Sequence, residues 1–264
     1  MKCQNILIGI VIVLASVSCQ NINKKETKSD DSKSVINENV MKTSDESGSL
    51  DAKLDERRME FAKVAPDETK KVYAEGIQAV KKSGILEKAL NVGDKVPDFV
   101  LNNQMNKSVS LSEELENGPV VLIWYRGGWC PYCNITLHFL QEKLPEFKAL
   151  GASLIALTPE LPDKSISTSE KHELEFSVLS DVDNKVAKEY GVVFELTPEV
   201  ASIYQKAFNL HDYNGNESNE LPLAVTYVVD KEGVIQYAFL DADYRNRAEP
   251  EEIISALKKL KLNK

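Results

Sequence analysis

The sequence predicts an α/β sandwich preceded by a helical extension. Three observations predict it. From Val92 onward, short apolar runs alternate with segments of helical periodicity. One of those runs, Val120 to Tyr125, is continuously apolar, as a central strand covered on both faces should be. The alternation ends in two strands joined by Asp230-Lys231-Glu232-Gly233 and a last helix, Pro250 to Leu262. With 264 residues, 42% of them hydrophobic, the chain can build such a core, and wholesale disorder is excluded.

In chain order, the first element is a leader. Met1-Lys2 is a positive n-region, and Ile6 to Val17 is an apolar run of twelve residues. That is short of the roughly 20 residues a bilayer-spanning helix needs but fits the h-region of a secretory signal. Leu14-Ala15-Ser16-Val17-Ser18-Cys19 then places small residues at a cleavage site. It resembles a bacterial lipoprotein signal, in which Cys19 becomes the lipidated first residue. An ordinary cleaved signal with an incidental cysteine is the alternative. Residues 1–18 are therefore expected to be a signal peptide and residues 19–50 a flexible polar tether. The expected location is the cell envelope or periplasm, with membrane contact only through a lipid at Cys19.

Residues 51–91 read as the helical extension. Asp51 to Val64 and Pro66 to Ser83 are two helices, with Tyr73, Ile77 and Val80 on one face and Gly84 as a stop, and Ile85 to Leu90 is a short third. Nothing there suggests chemistry. The main domain, residues 92–264, opens with a hairpin of Phe99 to Asn102 and Ser108 to Leu111. Asn117-Gly118-Pro119 turns into the central strand. Cys133, Leu137, Leu140, Leu144 and Phe147 mark one face of a helix interrupted by Pro145 and ended by Gly151. Strand Leu154 to Leu157, a helix around Asp163 to Glu173, and strand Phe176 to Leu179 follow. Asp181 is an N-cap, and a helix from Pro198 to Lys206 leads into a polar loop, Asp212 to Glu220. Strands Ala224 to Val229 and Val234 to Leu240 precede the last helix.

Charge and cysteine use narrow the function. A net charge of −9 argues against nucleic acid, which requires a basic surface. Of the four cysteines, Cys3 and Cys19 belong to the leader, leaving Cys130 and Cys133. They lie in Trp124-Tyr125-Arg126-Gly127-Gly128-Trp129-Cys130-Pro131-Tyr132-Cys133, where a strand delivers a glycine-flanked turn that opens a helix. A thiol at a helix N-terminus sits beside free N–H groups and the positive end of the dipole, which stabilise its thiolate. Cys130, at the tip, is expected to be the nucleophile and Cys133, one turn inward, the more buried resolving thiol. Pro131 suits the first helical position. A zinc site lacks further ligands among the dispersed His138, His172 and His211, and a c-type haem needs a histidine where Asn134 stands. A static disulfide remains the bland alternative. No metal or cofactor is expected.

These residues resemble the thioredoxin superfamily. Trp129 before the first cysteine is the thioredoxin arrangement, and the Pro131-Tyr132 dipeptide is that of glutaredoxin. Residues from about 92 to 256 resemble the AhpC/TSA peroxiredoxin-like proteins. Gly93-Asp94-Lys95-Val96-Pro97-Asp98-Phe99 is similar to their opening segment, and Ala224 to Asp230 with Gly233 to their late strand. Arg126 to Cys133 is similar to the active-site loop of one bacterial branch, whose N-terminal extension the helices from Arg57 also resemble. The resemblance implies a thioredoxin-like fold, a central mixed β-sheet flanked by helices. It further implies peroxide reduction by a cysteine thiolate and a thioredoxin-like electron donor.

It also implies a cis-proline before the late strand, for which Pro222 is the candidate; a proline merely starting an edge strand is the alternative. Pro97 and Pro119 rank lower. The family's proline seven and Thr or Ser three before the peroxidatic cysteine are replaced by Ile123 and Gly127. Arg126 is then either a local guanidinium for the peroxide or a solvated loop residue, and Arg245 or Arg247 is a further source of positive charge. Thioredoxin's buried carboxylate would fall at Trp124, so no such relay is expected. Trp124 and Tyr125 read as core, His138 as a solvated helix residue, and Asp241 and Asp243 as an acidic loop. Three functions stay open: an exported thiol peroxidase acting on hydroperoxides, an envelope oxidoreductase acting on protein thiols and disulfides, and a non-catalytic envelope interaction module.

Overall fold

The computed structural model describes residues 48–262, so the expected signal, the lipidation at Cys19 and nearly all of the expected tether lie outside the described residues. The chain enters α1 (Leu50–Val64) through Ser49, whose hydroxyl accepts from the Ala52 N–H at 3.2 Å. The tether was expected to run through Leu50. Instead Leu50 and Leu54 are buried in the core formed with the helix after the cysteines, which a solvated tether could not supply. α2 (Asp67–Lys82) follows, with Pro66 as its cap rather than in its first turn. It buries Ile77 and Val80, and Gly84, at φ 72°, separates it from α3 (Ile85–Lys88).

β1 (Val100–Asn102) and β2 (Ser108–Ser110) form the expected antiparallel hairpin, Leu101 opposite Val109. The sequence reading then misses α4 (Leu111–Asn117), a short helix capped by the Ser110 hydroxyl and held by buried Leu111 and Leu115. β3 (Val120–Trp124) is buried at every position. α5 (Pro131–Ala149) runs through Pro145 without ending. The alternation continues with β4 (Ser153–Thr158), α6 (Pro162–Lys171) and β5 (Ser177–Ser180).

A 3-10 turn, Val182–Asn184, precedes α7 (Lys185–Glu189). Asp181 still serves as the cap, accepting from the Val186 and Ala187 N–H groups at 2.9 Å each. β6 (Val193–Glu195) and α8 (Pro198–Phe208) lead to the segment expected as a polar loop from Asp212 to Glu220, whose ends belong instead to α9 (Leu210–Asn214) and β7 (Glu220–Pro222). β8 (Thr226–Val229), β9 (Ile235–Phe239) and α10 (Pro250–Leu262) complete the fold.

The main sheet has the order β5-β4-β3-β8-β9. β3 is parallel to β4 and antiparallel to β8, so the sheet is mixed and β3 sits at its centre. Side chains alternate across the pleat. Val120, Leu122 and Trp124 face one core with Tyr190 and Tyr227, while Val121 and Ile123 face the other with Leu137, Leu140 and Ile253. Two cores on one strand explain why it reads as an unbroken apolar run. With helices on both faces, this is a thioredoxin-like α/β fold.

Pro222 requires a correction. No peptide bond among the described residues is cis. Pro222 lies in the two-stranded ribbon of β6 and β7 opposite Val193, and the adjacent Leu223 N–H donates to the Val192 carbonyl at 2.8 Å. At that position of an antiparallel pair no ladder bond calls for the proline's missing N–H, so the extended trans form is accommodated.

Leu122 is fully buried at the centre of β3. Leu122→Ala is expected to cost about 2–5 kcal/mol, read from urea unfolding as a lower midpoint at unchanged slope.

Candidate active site

β3 delivers the chain into a loop that two glycines make possible. Gly127 has φ 151°, and a Cβ there would fall 2.2 Å from the Trp129 indole nitrogen. A Cβ on Gly128 would fall 2.1 Å from the Thr168 hydroxyl of α6. The loop is tied down locally: the Cys130 N–H donates to the Gly127 carbonyl at 3.0 Å, and Asn134 Nδ2 donates to the Gly128 carbonyl at 2.8 Å. Cys130 caps α5, and Pro131 opens it at a position where its missing N–H leaves no bond unmade.

Cys130 and Cys133 are free thiols, each 1% exposed. The expectation that Cys133 is the deeper of the two is not met, because aromatic rings roof the loop tip as well. Trp129 stacks on Phe208 with ring centroids 4.5 Å apart, and Tyr132 packs edge-on against Tyr244 at 5.7 Å. Cys130 lines a groove of about 390 Å³ walled by Phe61, Tyr73, Trp129 and Phe208, with Arg57 and Lys70 also on its lining.

Two guanidiniums share the burial of the thiols. Arg126 is 1% exposed, which removes the solvated-loop alternative. Its Nη2 donates to the Tyr204 hydroxyl at 2.6 Å, and its guanidinium carbon lies 4.0 Å from the Tyr244 ring centroid and 5.0 Å from that of Trp129. Of the two later arginines, Arg247 is the one that reaches the pair, with Nη2 3.4 Å from Cys133 Sγ. Arg245 is held instead by Asp243, through bonds of 2.8 and 2.7 Å.

The electrostatics follow from these contacts. Burial raises the cost of charge on both sulfurs. For Cys133 that cost is outweighed by the Cys130 thiol, which donates to it, and by Arg247 and Arg126, and its pKa falls to about 5. For Cys130, burial and the neighbouring Cys133 push the thiol well up. The resting pair is a thiol hydrogen-bonded to a thiolate.

The acidic loop has a structural task. Asp241 accepts from the Asp243 N–H and from Asn246 Nδ2, at 2.7 and 2.6 Å, folding the segment that presents Tyr244 and Arg247. The extension then clamps it. Arg58 Nη2, on α1, donates to the Arg245 carbonyl at 2.8 Å and to Asn246 Oδ1 at 2.7 Å. The sequence of this helix suggests no chemistry, because one arginine among its many charged residues carries no signal of its partner.

Glu160, two residues past β4, is a site residue the sequence does not single out. It is fully buried, and its Oε1 accepts from the Gly128 N–H at 2.9 Å. The resemblance places a carboxylate only on the strand leading to the cysteines, where Trp124 stands. The signal available was an acid between two prolines at the C-terminal end of the neighbouring parallel strand, where sites of α/β sheets gather. Trp124 and Tyr125 are core, as read, and His138 is an exposed helix residue 3.4 Å from Glu142. Pro222 is absent from the groove's lining.

Residues 92–238 match the AhpC/TSA family. Peroxiredoxin Q, chloroplastic, of Populus jackii is 30% identical over 171 residues, 65% of this chain and 68% of that protein. The putative peroxiredoxin bcp of Haemophilus influenzae is 30% identical over 150 residues, 57% of this chain and 86% of that one. Among solved structures, peroxidoxin BcpB from Mycobacterium tuberculosis aligns with a TM-score of 0.52 at 22% identity, over 65% of this chain and 98% of that one. A peroxiredoxin-like protein from Aquifex aeolicus gives 0.51 at 18% identity, over 65% and 88%. At those identities the structures speak for the fold.

Arg247→Gln is expected to raise the thiolate pKa by about one to three units, measured as the pH dependence of iodoacetamide alkylation. Arg58→Ala, which frees the loop without touching either sulfur, should move it in the same direction by less.

Proposed function

The chain belongs to the AhpC/TSA family and is an oxidoreductase, a thiol peroxidase on a thioredoxin-like fold, and from that premise we propose that it reduces hydrogen peroxide or organic hydroperoxides through a Cys130/Cys133 dithiol–disulfide cycle. The supporting observation is the buried thiol–thiolate pair beside two guanidiniums, with Cys130 facing the groove. Cys130 attacks the outer peroxide oxygen while its proton passes to the Cys133 thiolate. The O–O bond breaks, an alkoxide or hydroxide leaves and takes a proton from solvent, and Cys130 becomes a sulfenic acid. Cys133 then attacks the Cys130 sulfur, the S–O bond breaks, and water leaves as the disulfide closes. A thioredoxin-like dithiol protein reopens it by exchange.

Supporting roles follow from position. Gly127 brings no hydroxyl to the peroxide, and the Arg126 guanidinium is the group next to Cys130 that can hold its oxygens. Trp129, Pro131 and Tyr132 shape the approach to the sulfur. Export and lipid attachment at Cys19 belong to the same reading, supported by the apolar leader and the small residues ahead of that cysteine. One observation favours a second reading, an envelope protein thiol–disulfide oxidoreductase: the family hydroxyl is missing while the Trp-Cys-Pro-Tyr-Cys run is complete.

Reduced protein mixed with hydrogen peroxide or an alkyl hydroperoxide should lose its Cys130 thiol at least about a hundredfold faster than free cysteine. A rate equal to that of free cysteine sinks the peroxidase reading, and insulin-disulfide reduction then tests the second one. Cys133→Ser should trap Cys130 as a sulfenic acid or mixed disulfide, visible by intact mass; equal trapping on Cys133 in Cys130→Ser would contradict the assignment of the two roles.

A further inference from the structure

The groove that opens on Cys130 is walled in part from outside the family domain. The AhpC/TSA match begins at residue 92, and α1 and α2 both end before it. α1 turns Arg57, Arg58, Phe61 and Ala62 to the groove, at the i, i+1, i+4 and i+5 spacing of one helix face, and α2 adds Lys70 and Tyr73. The aromatic rings of the extension continue those of the redox domain. Phe61 stacks on Tyr73 with ring centroids 5.6 Å apart, and Tyr73 meets Tyr204 edge-on at 5.8 Å. Tyr204 in turn holds Arg126. A row of rings therefore leads from the extension to the loop that bears the nucleophile.

The charge on the lining has one sign. Arg57, Arg58, Lys70, Arg126 and Arg245 line the groove and, among the described residues, no acid does, in a chain of net charge −9. Four of these cations are committed elsewhere. Arg58 is bound to Asp55 and to the Arg245 carbonyl, Arg245 to Asp243, Lys70 to Asp67 at 2.6 Å, and Arg126 to the Tyr204 hydroxyl. Arg57 differs from them. Its Nη1 lies 3.3 Å from the exposed carboxylate of Glu60, while its Nε is buried with no hydrogen-bond partner among the described residues. A buried N–H without an acceptor costs free energy. In a groove that reaches the nucleophile, the acceptor it lacks is one that a substrate can bring.

We propose that the groove selects organic hydroperoxides that carry a carboxylate on an apolar body, as a peroxidised fatty acid does, and that Arg57 is the specificity-determining residue that receives the carboxylate. The proposal rests on the peroxidase reading and names its substrate class. The rings of Phe61, Tyr73, Trp129 and Phe208 take the hydrocarbon, and Arg57 takes the head group at the α1 wall. The peroxide is then left beside Cys130 and Arg126. A groove of about 390 Å³ holds a body of that kind, whereas hydrogen peroxide leaves most of it empty. An arginine suits the head group because its planar fork can donate to both oxygens of a carboxylate. An uncharged hydroperoxide gains the apolar contacts alone.

The test mixes reduced protein with oleic acid hydroperoxide or with its methyl ester, below the concentration at which either aggregates, and follows the second-order rate of Cys130 oxidation. The acid should react about tenfold faster than the ester at low salt, and the ratio should fall as salt is added. Arg57→Gln should bring the ratio near one, and Arg57→Lys, which keeps the charge without the fork, should restore part of it. A second measurement needs no peroxide. Oleic acid should quench the tryptophan fluorescence at about tenfold lower concentration than methyl oleate, and Arg57→Gln should abolish the difference. If no hydroperoxide outpaces free cysteine, the peroxidase reading fails and the binding comparison still decides the carboxylate site. Equal behaviour of acid and ester in the wild type overturns the proposal, as does an Arg57→Gln loss shared equally by both. Binding of neither, with a second copy of the chain covering the groove in solution, overturns it too.

Discussion

A thiolate that is 1% exposed exists only where positive charge is buried with it, and the rest of the site follows from that requirement. The cations must themselves be held out of water. Arg126 is accommodated by the Tyr204 hydroxyl and by the faces of Tyr244 and Trp129, Arg247 by the Asn246 carbonyl and the Cys133 sulfur. Each partner is satisfied by another that would be unstable alone. The aromatic residues around the cysteines are thus part of the electrostatics as well as of the packing.

The fold meets this requirement by bringing distant elements to one end of the sheet. The loop after β3 places Arg126 and the glycine pair there, α5 supplies both sulfurs, α8 supplies Tyr204, and the segment before α10 supplies Tyr244 and Arg247. That last segment has no regular structure, so its shape depends on Asp241, Asp243 and Asn246 within it and on Arg58 outside it. The N-terminal extension is consequently a working part of the site: a contact between positions 187 residues apart sets where the arginine beside Cys133 can stand.

Much of this was legible in the residues. The two-sided burial of Val120 to Trp124, the helical face from Cys133 to Phe147, the capping by Asp181 and the closing hairpin and helix each follow from periodicities and end signals a few residues long. The failures are as specific. α4 is too short to show a period beside the strand before it. α9 and β7 are polar enough to read as loop, and they form because Leu210 and Leu221 are drawn into a core with Val200 and Tyr204. The resemblance implies a cis Pro222, but that proline is trans and paired with Val193 in an extended ribbon.

By itself the sequence determined the strand–loop–helix that carries Cys130 and Cys133, the glycines that let the loop turn and the proline that starts the helix. All of these are interactions between near neighbours in the chain. Which charges would face the sulfurs was decided only by the tertiary structure. Gly128 meets Glu160 across 32 positions, Arg126 meets Tyr204 across 78, and Cys133 meets Arg247 across 114. The physical reason is the range of the forces that matter at each level. Backbone hydrogen bonding and side-chain periodicity act within one or two turns, so they are written locally. The state of a buried thiolate depends on every charge and dipole within a few ångströms, and only folding determines which residues those are.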